Sequence, residues 1–199
     1  MVPYKRRFAS IFLALLFAAA SARAQSYYYA SYQAQPMSYY RPDTSDDSPR
    51  AAEIHGGSRP TVRGSSAVIR HGIAYAPANA PESVKRAIWA ANALRRLPYK
   101  WGGGHRSFYD SGYDCSGTVS YALHYAGVLG APAQSSELLN YGQRGRGRWI
   151  TVYSREGHTF AVIAGLRLDT TGCYGTEGPR WHADGRLTWG FRARHPDGL

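Results

Sequence analysis

The sequence predicts an α+β domain in which N-terminal helices pack on an antiparallel β-sheet, and three observations predict it. Apolar residues recur at helical spacing from Val84 to Leu94 and again from Val119 to Ala126. From Trp149 onward the pattern changes to segments rich in β-branched and aromatic residues. Helices first and strands afterwards, over about 120 residues, suit a single core of that class.

The elements follow in order. Lys5, Arg6 and Arg7, the apolar run from Phe8 to Ala20, and Ala22-Arg23-Ala24 read together as a secretory signal peptide, residues 1–24. The product is therefore expected to be exported, periplasmic or extracellular, and to begin at Gln25. No cysteine follows the cleavage site, so no lipid anchor is expected there. No later apolar run approaches the roughly 18 residues of a membrane helix. The signal carries Lys5, Arg6, Arg7 and Arg23 and no acid, so the formal charge of +11 falls by four to +7 in the mature chain. A basic balance favours anionic partners, among them cell-envelope polymers and lipid surfaces. The arginines are scattered and no nucleic-acid module is present, so nucleic acid is not an expected partner. Arg144, Arg146 and Arg148 read as solvated.

Residues 25–80 are dominated by Tyr, Ser, Gln, Pro, Gly and Arg and lack the aliphatic residues that offset ordering entropy, which predicts a mostly disordered linker. Its one candidate strand is "AVIRHGIAYAP", Ala67 to Pro77. The ordered domain is expected over 81–199. Pro81 and Glu82 mark a helix start, Arg95 and Arg96 suit its C-terminus, and Pro98 stops it. After the glycine-rich loop "YKWGGGH" a second helix starts at Cys115 or Ser116 and ends at Gly127. "WITVYS", "HTFAVIAGLRLDTT" and "RLTWGFRARHP" are the strand segments, the last with Leu187, Trp189, Phe191 and Ala193 in alternation. Trp101, Trp149, Trp181 and Trp189 are expected in the core or the cleft wall.

There are two cysteines, Cys115 and Cys173. In an oxidising compartment they could pair, and composition leaves that open. The surroundings of Cys115 favour a nucleophile. A cysteine at a helix N-terminus meets the positive end of the macrodipole and unpaired N–H groups, which stabilise thiolate and can also face a carbonyl under attack. Cys173, in the turn-like "TTGCYG", has no basic partner and reads as a structural or free thiol. The base must come from seven histidines. His55 and His71 lie in the linker, His195 near the chain end, and His105 and His182 in loops, where they read as solvated. His124 is nine residues down the helix from Cys115, too far along the axis. His158 opens a strong core strand, so a rigid element would hold it. A helix-start cysteine with a strand-start histidine is the papain-like arrangement of nucleophile and base.

Strand geometry suggests a third member. If the hairpin turns at Ala164-Gly165, His158 faces Thr171 and Asp169 faces Phe160. Asp169 then shares a sheet face with His158, one diagonal step away, where a carboxylate can accept the imidazole hydrogen bond. Thr171 would orient the ring more weakly, and His182 would serve if the following loop folds back.

Tyr99-Lys100-Trp101-Gly102-Gly103, Asp114-Cys115-Ser116-Gly117 and His158 fall in an order that resembles the NlpC-type family of papain-fold cell-wall cysteine peptidases, over Pro81 to His195. The resemblance implies a papain-like domain and a peptidoglycan hydrolase. Such an enzyme cleaves stem peptides, typically between γ-linked D-glutamate and the diamino acid, without metal or cofactor. It implies Cys115 and His158 as catalytic residues, and Tyr99, Asp114 and Ser116 as the group that binds the free amino end of the stem. Where the family carries Pro-Gly-Asp ahead of the histidine strand, this chain has "GRGRWITVYS", a change expected at the cleft wall. Two other readings stand beside it. An amidase or acyltransferase would keep Cys115 and His158 without needing Asp114. A non-catalytic wall-binding protein would need neither.

Overall fold

The computed structural model describes residues 59–171 and 178–199. The signal peptide expected at 1–24, the linker as far as residue 58, and Cys173 lie outside the described residues.

The first described segment corrects the linker boundary. Strands β1 (Thr61–Val62), β2 (Val68–Arg70) and β3 (Ile73–Pro77) form a three-stranded sheet in the order β1-β3-β2, with β1 parallel and β2 antiparallel to β3. The candidate strand Ala67 to Pro77 holds β2 and β3, but the sequence does not mark it as part of the ordered domain because its apolar contribution comes from small residues: Ala67, Ala74 and Ala76 are buried in the main core. The β2–β3 turn places His71 and Gly72 at φ 50° and 74°, the pair of positive values that a type I′ hairpin turn requires. Ala67 N donates to Ala164 O at 2.8 Å, which ties this segment to the larger sheet.

Helix α1 (Glu82–Ala93) begins after Pro81, with Glu82 in its first turn, and runs into a 3₁₀ turn over Leu94–Arg96. Val84, Ala87, Ile88, Ala91 and Leu94, the predicted apolar face, are all buried. Helix α2 (Cys115–Ala126) is buried along its whole length and ends on Gly127 in the left-handed conformation, φ 80°. A single turn, α3 (Ser135–Leu138), is closed by a Gln134/Glu137 capping box.

The remaining strands are β4 (Gln143–Arg144), β5 (Ile150–Arg155), β6 (His158–Ile163), β7 (Leu166–Asp169), β8 (Arg180–His182) and β9 (Arg192–His195). They make an antiparallel sheet in the order β4-β9-β5-β6-β7-β8. α2 packs on β6 and β7, and α1 packs on α2 and β3. Ile88, Val119, Leu123, Val152, Ile163 and Leu168 meet in one core, each worth about 1.5–3 kcal/mol of buried apolar surface. The class is α+β, with a small sheet ahead of the helices as well as the large one behind them.

The strand expected over 186–196 is shorter than predicted. Leu187 and Trp189 are 89% and 91% exposed, and Phe191 N closes a turn on Thr188 O at 3.0 Å. Pairing begins only at Arg192, opposite Ser154. Alternation marks a strand only where a neighbour supplies hydrogen bonds. Trp101 is likewise exposed at 88%, whereas Trp149 and Trp181 are buried. Among the described residues, no helix is long and apolar enough to cross a membrane.

Candidate active site

Cys115 is the first residue of α2 because its neighbour caps the helix. Asp114 Oδ1 accepts from Gly117 N at 2.8 Å, and the Asp114 carbonyl accepts from Thr118 N at 3.0 Å. Gly117 also lets the glycine-rich loop close over that first turn, since a Cβ there would strike the Gly103 carbonyl. Cys115 is a free thiol, buried to 8% exposure.

His158 opens β6. The β6–β7 hairpin turns at Ala164 and Gly165, both at positive φ, and pairs Ala161 with Leu168, Val162 with Arg167 and Ile163 with Leu166. This is the register that the predicted turn requires. It brings Asp169, at the end of β7, to His158: Nε2 lies 3.1 Å from Oδ1. Thr171 joins them, its Oγ1 3.1 Å from the same ring nitrogen and its N–H donating to Asp169 Oδ1 at 3.0 Å.

Asp169 is 1% exposed, and on the other oxygen two arginines meet it. Arg167 Nη1 donates to Oδ2 at 2.7 Å and Arg186 Nη1 at 2.6 Å. Burial would raise the carboxyl pKa, but the hydrogen bonds from His158, Thr171, Arg186 and Arg167 outweigh it and hold the group well below the usual carboxylate range. The His158 ring is subject to the opposite balance. Burial lowers its pKa, yet hydrogen bonds to Asp169 and Cys115, with the charges of both, push it up to about 9. With Nε2 turned to Asp169, Nδ1 is the nitrogen left to serve Cys115.

The second group is Tyr99, Asp114 and Ser116, which the structure places beside Cys115. Tyr99 has its pKa raised by burial and by the Cys115 and Asp114 charges. His105, expected to be solvated, belongs to this group. Its Nε2 lies 2.8 Å from Asp114 Oδ2 and 2.9 Å from Ser116 Oγ. Gly102 N donates to Oδ2 at 3.1 Å, and Ser116 Oγ to Oδ1 at 3.1 Å. Together with Gly117 N these partners fill the four lone-pair sites of the Asp114 carboxylate. A substrate amine reaching Asp114 must displace one of them.

Of the two alternatives to Asp169, Thr171 stands at the ring and His182 does not, and His124, excluded as too far along the helix, is engaged elsewhere. His182 has Nδ1 4.0 Å from Asp184 Oδ1, and its pKa is lowered by burial first and the Arg167 charge second. Among the described residues it makes no hydrogen bond to His158. His124 directs Nδ1 to Leu129 O and stacks on Phe108 with ring centroids 3.8 Å apart. The sequence reading missed Arg167, Arg186 and His105. Arg167 was legible in principle, two residues from Asp169 on the same face of β7. Arg186 sits in a loop whose path the sequence pattern does not report.

Among the described residues, no group of three or more His, Cys, Asp or Glu side chains is arranged to hold a metal ion. What the arrangement can do is nucleophilic chemistry: a buried thiol, a histidine whose second nitrogen is fixed, and a carboxylate held ionised. No protein-family model matches the chain and no curated protein matches it significantly, so the functional reading rests on the geometry of Cys115, His158 and Asp169.

Proposed function

We propose that this protein is an exported cysteine peptidase of the papain-like NlpC type, a peptidoglycan hydrolase that cleaves stem peptides at the γ-D-glutamyl to diamino acid bond. The observation that carries the reading is the fixed His158 ring, its Nε2 3.1 Å from the buried Asp169 carboxylate and its other nitrogen available to Cys115. Below about pH 9 such a ring is protonated, the state that accompanies a thiolate nucleophile.

In the reaction, Cys115 Sγ attacks the scissile carbonyl carbon, and N–H groups of the first turn of α2 offer donors to the developing oxyanion. The C–N bond breaks as His158 passes its proton to the leaving amine, which leaves a thioester. Water then attacks the thioester, His158 takes the water proton, and the C–S bond breaks to restore the thiolate. Asp169 accepts the Nε2 hydrogen bond throughout and keeps the ring in its plane.

Incubating the protein with purified muropeptides and reading products by mass tests this. Cys115→Ala and His158→Ala, each folded by circular dichroism, are expected to lose activity by roughly 10³-fold or more. Wild-type turnover in either variant would refute the mechanism. The saturated Asp114 favours a second reading, an amidase or acyltransferase on the same Cys115–His158 pair, whose substrate need not carry a free amine. Product masses separate the two.

A further inference from the structure

Arg186 lies in the loop between β8 and β9, 17 residues beyond Asp169, yet its guanidinium touches both residues behind Cys115. Nη1 is 2.6 Å from Asp169 Oδ2 and 3.1 Å from His158 Nε2. The guanidinium carbon sits 5.0 Å from the Phe160 ring centroid and 5.4 Å from that of Phe191. Phe191 in turn meets the His158 ring edge-on at 6.1 Å. The Arg186 side chain is 22% exposed, against 8% for Arg167. The two arginines are thus placed differently. Arg167 is built into β7 and also reaches Asp184 Oδ2 at 3.3 Å, so it anchors the strand end. Arg186 comes from a loop and faces the ring.

An arginine carries donors only. When Nε2 carries a proton, Nη1 and Nε2 are two donors at 3.1 Å and cannot bond to each other; both turn to Asp169, one to each oxygen. We infer that Arg186 is a positioning residue of this site. It pins Asp169 Oδ2 so that Oδ1 stays on His158, and its charge opposes a second positive charge on the ring. Among the described residues, the titratable and charged groups around His158 include Cys115 from α2, Asp169 and Arg167 from β7, Arg155 paired opposite it on β5, and Arg186. The Arg155 guanidinium carbon lies 4.7 Å from the Phe191 ring centroid. Of these cations, Arg186 is the one that stands at hydrogen-bond distance from Nε2, 3.1 Å. The role in turnover rests on the peptidase reading; the effect on the ring does not.

The test is an NMR titration of the His158 imidazole in wild type, Arg186→Gln and Arg186→Lys, with kcat and KM on muropeptides beside it. Removing the cation frees the Asp169 charge for the ring and removes a repulsion, so both effects act in one direction. In Arg186→Gln the His158 midpoint should rise by about one pH unit, and kcat should fall by roughly tenfold with KM little changed. Arg186→Lys keeps the charge and loses the fork, so its midpoint should stay near wild type. An unmoved midpoint in Arg186→Gln overturns the inference, as does a change confined to KM, which would place Arg186 on the substrate. If Arg186→Gln fails to fold, Arg186→Lys decides: a shift of a full unit there overturns it, and a retained midpoint with lowered kcat supports it. The titration needs no substrate, so an inactive wild type would refute the peptidase reading and leave this result standing.

Discussion

Asp169 places a negative charge at 1% exposure, and four donors surround it: His158 Nε2, Thr171 N, Arg167 Nη1 and Arg186 Nη1. An ionised carboxylate so enclosed is stable only while those partners remain. Asp169→Asn keeps the shape and removes the charge, so hydrolysis should fall by roughly 10²- to 10⁴-fold in a folded protein. Steady-state rates on muropeptides check it. The His158 pKa also predicts a stability profile. Raised from 6.5 to about 9, it contributes stability that is complete below 6.5 and is lost as pH rises through about 9. The melting temperature of wild type should decline across that window, and His158→Gln should flatten the decline. At Asp114, His105 occupies a site that a substrate amine would need. His105→Ala should lower KM for a free-amine stem peptide by roughly tenfold, the worth of one hydrogen bond to a charged group, and leave an N-acetylated stem unaffected.

Asn92 joins three elements through one buried side chain. From α1 its Oδ1 accepts from Ala74 N at 2.9 Å and from Trp181 Nε1 at 3.1 Å, and its Nδ2 donates to Ala74 O at 2.9 Å. One side chain therefore satisfies groups on β3 and β8. Asn92→Ala strands all of them in a buried position and should cost about 3 kcal/mol, measured as a lowered urea midpoint with unchanged slope. The hairpins show how far local sequence reaches. Ala164-Gly165 was legible as a turn, and the turn alone dictates the register that carries Asp169 to His158. The alternation at Leu187, Trp189 and Phe191 was legible too and misled, because it sits on a turn that, among the described residues, has no paired neighbour.

At the scale of the molecule, the small sheet and the helices share one core. Ala74 and Ala76 belong to the same buried cluster as Val84, Ile88 and Val119, and Trp89 Nε1 donates to Pro60 O at 3.0 Å. A chain begun at Ala80 would expose the face of α1 that packs on β3 and leave Asn92 without its backbone partners. It should be recovered largely insoluble or unfolded by circular dichroism, whereas a chain begun at Arg59 keeps the sheet. Equal stability of the two would return residues 59–79 to the status of a linker.

The sequence alone determined the two helices, the placing of Cys115 at or beside a helix start, the strand start at His158 and the turn that aligns Asp169, because each follows from spacing and turn chemistry over a few residues. The small sheet was legible only as the candidate strand Ala67 to Pro77 and not as a sheet packed on the helix, since alanines carry no strong apolar signal until a helix covers them. His105 on Asp114 and Arg186 on Asp169 were not legible. Those contacts join residues 9 and 17 positions apart through loops, and a loop's path is set by what it packs against. Tertiary structure therefore decided which charges surround the thiol and its histidine, while local sequence decided where the thiol and histidine stand.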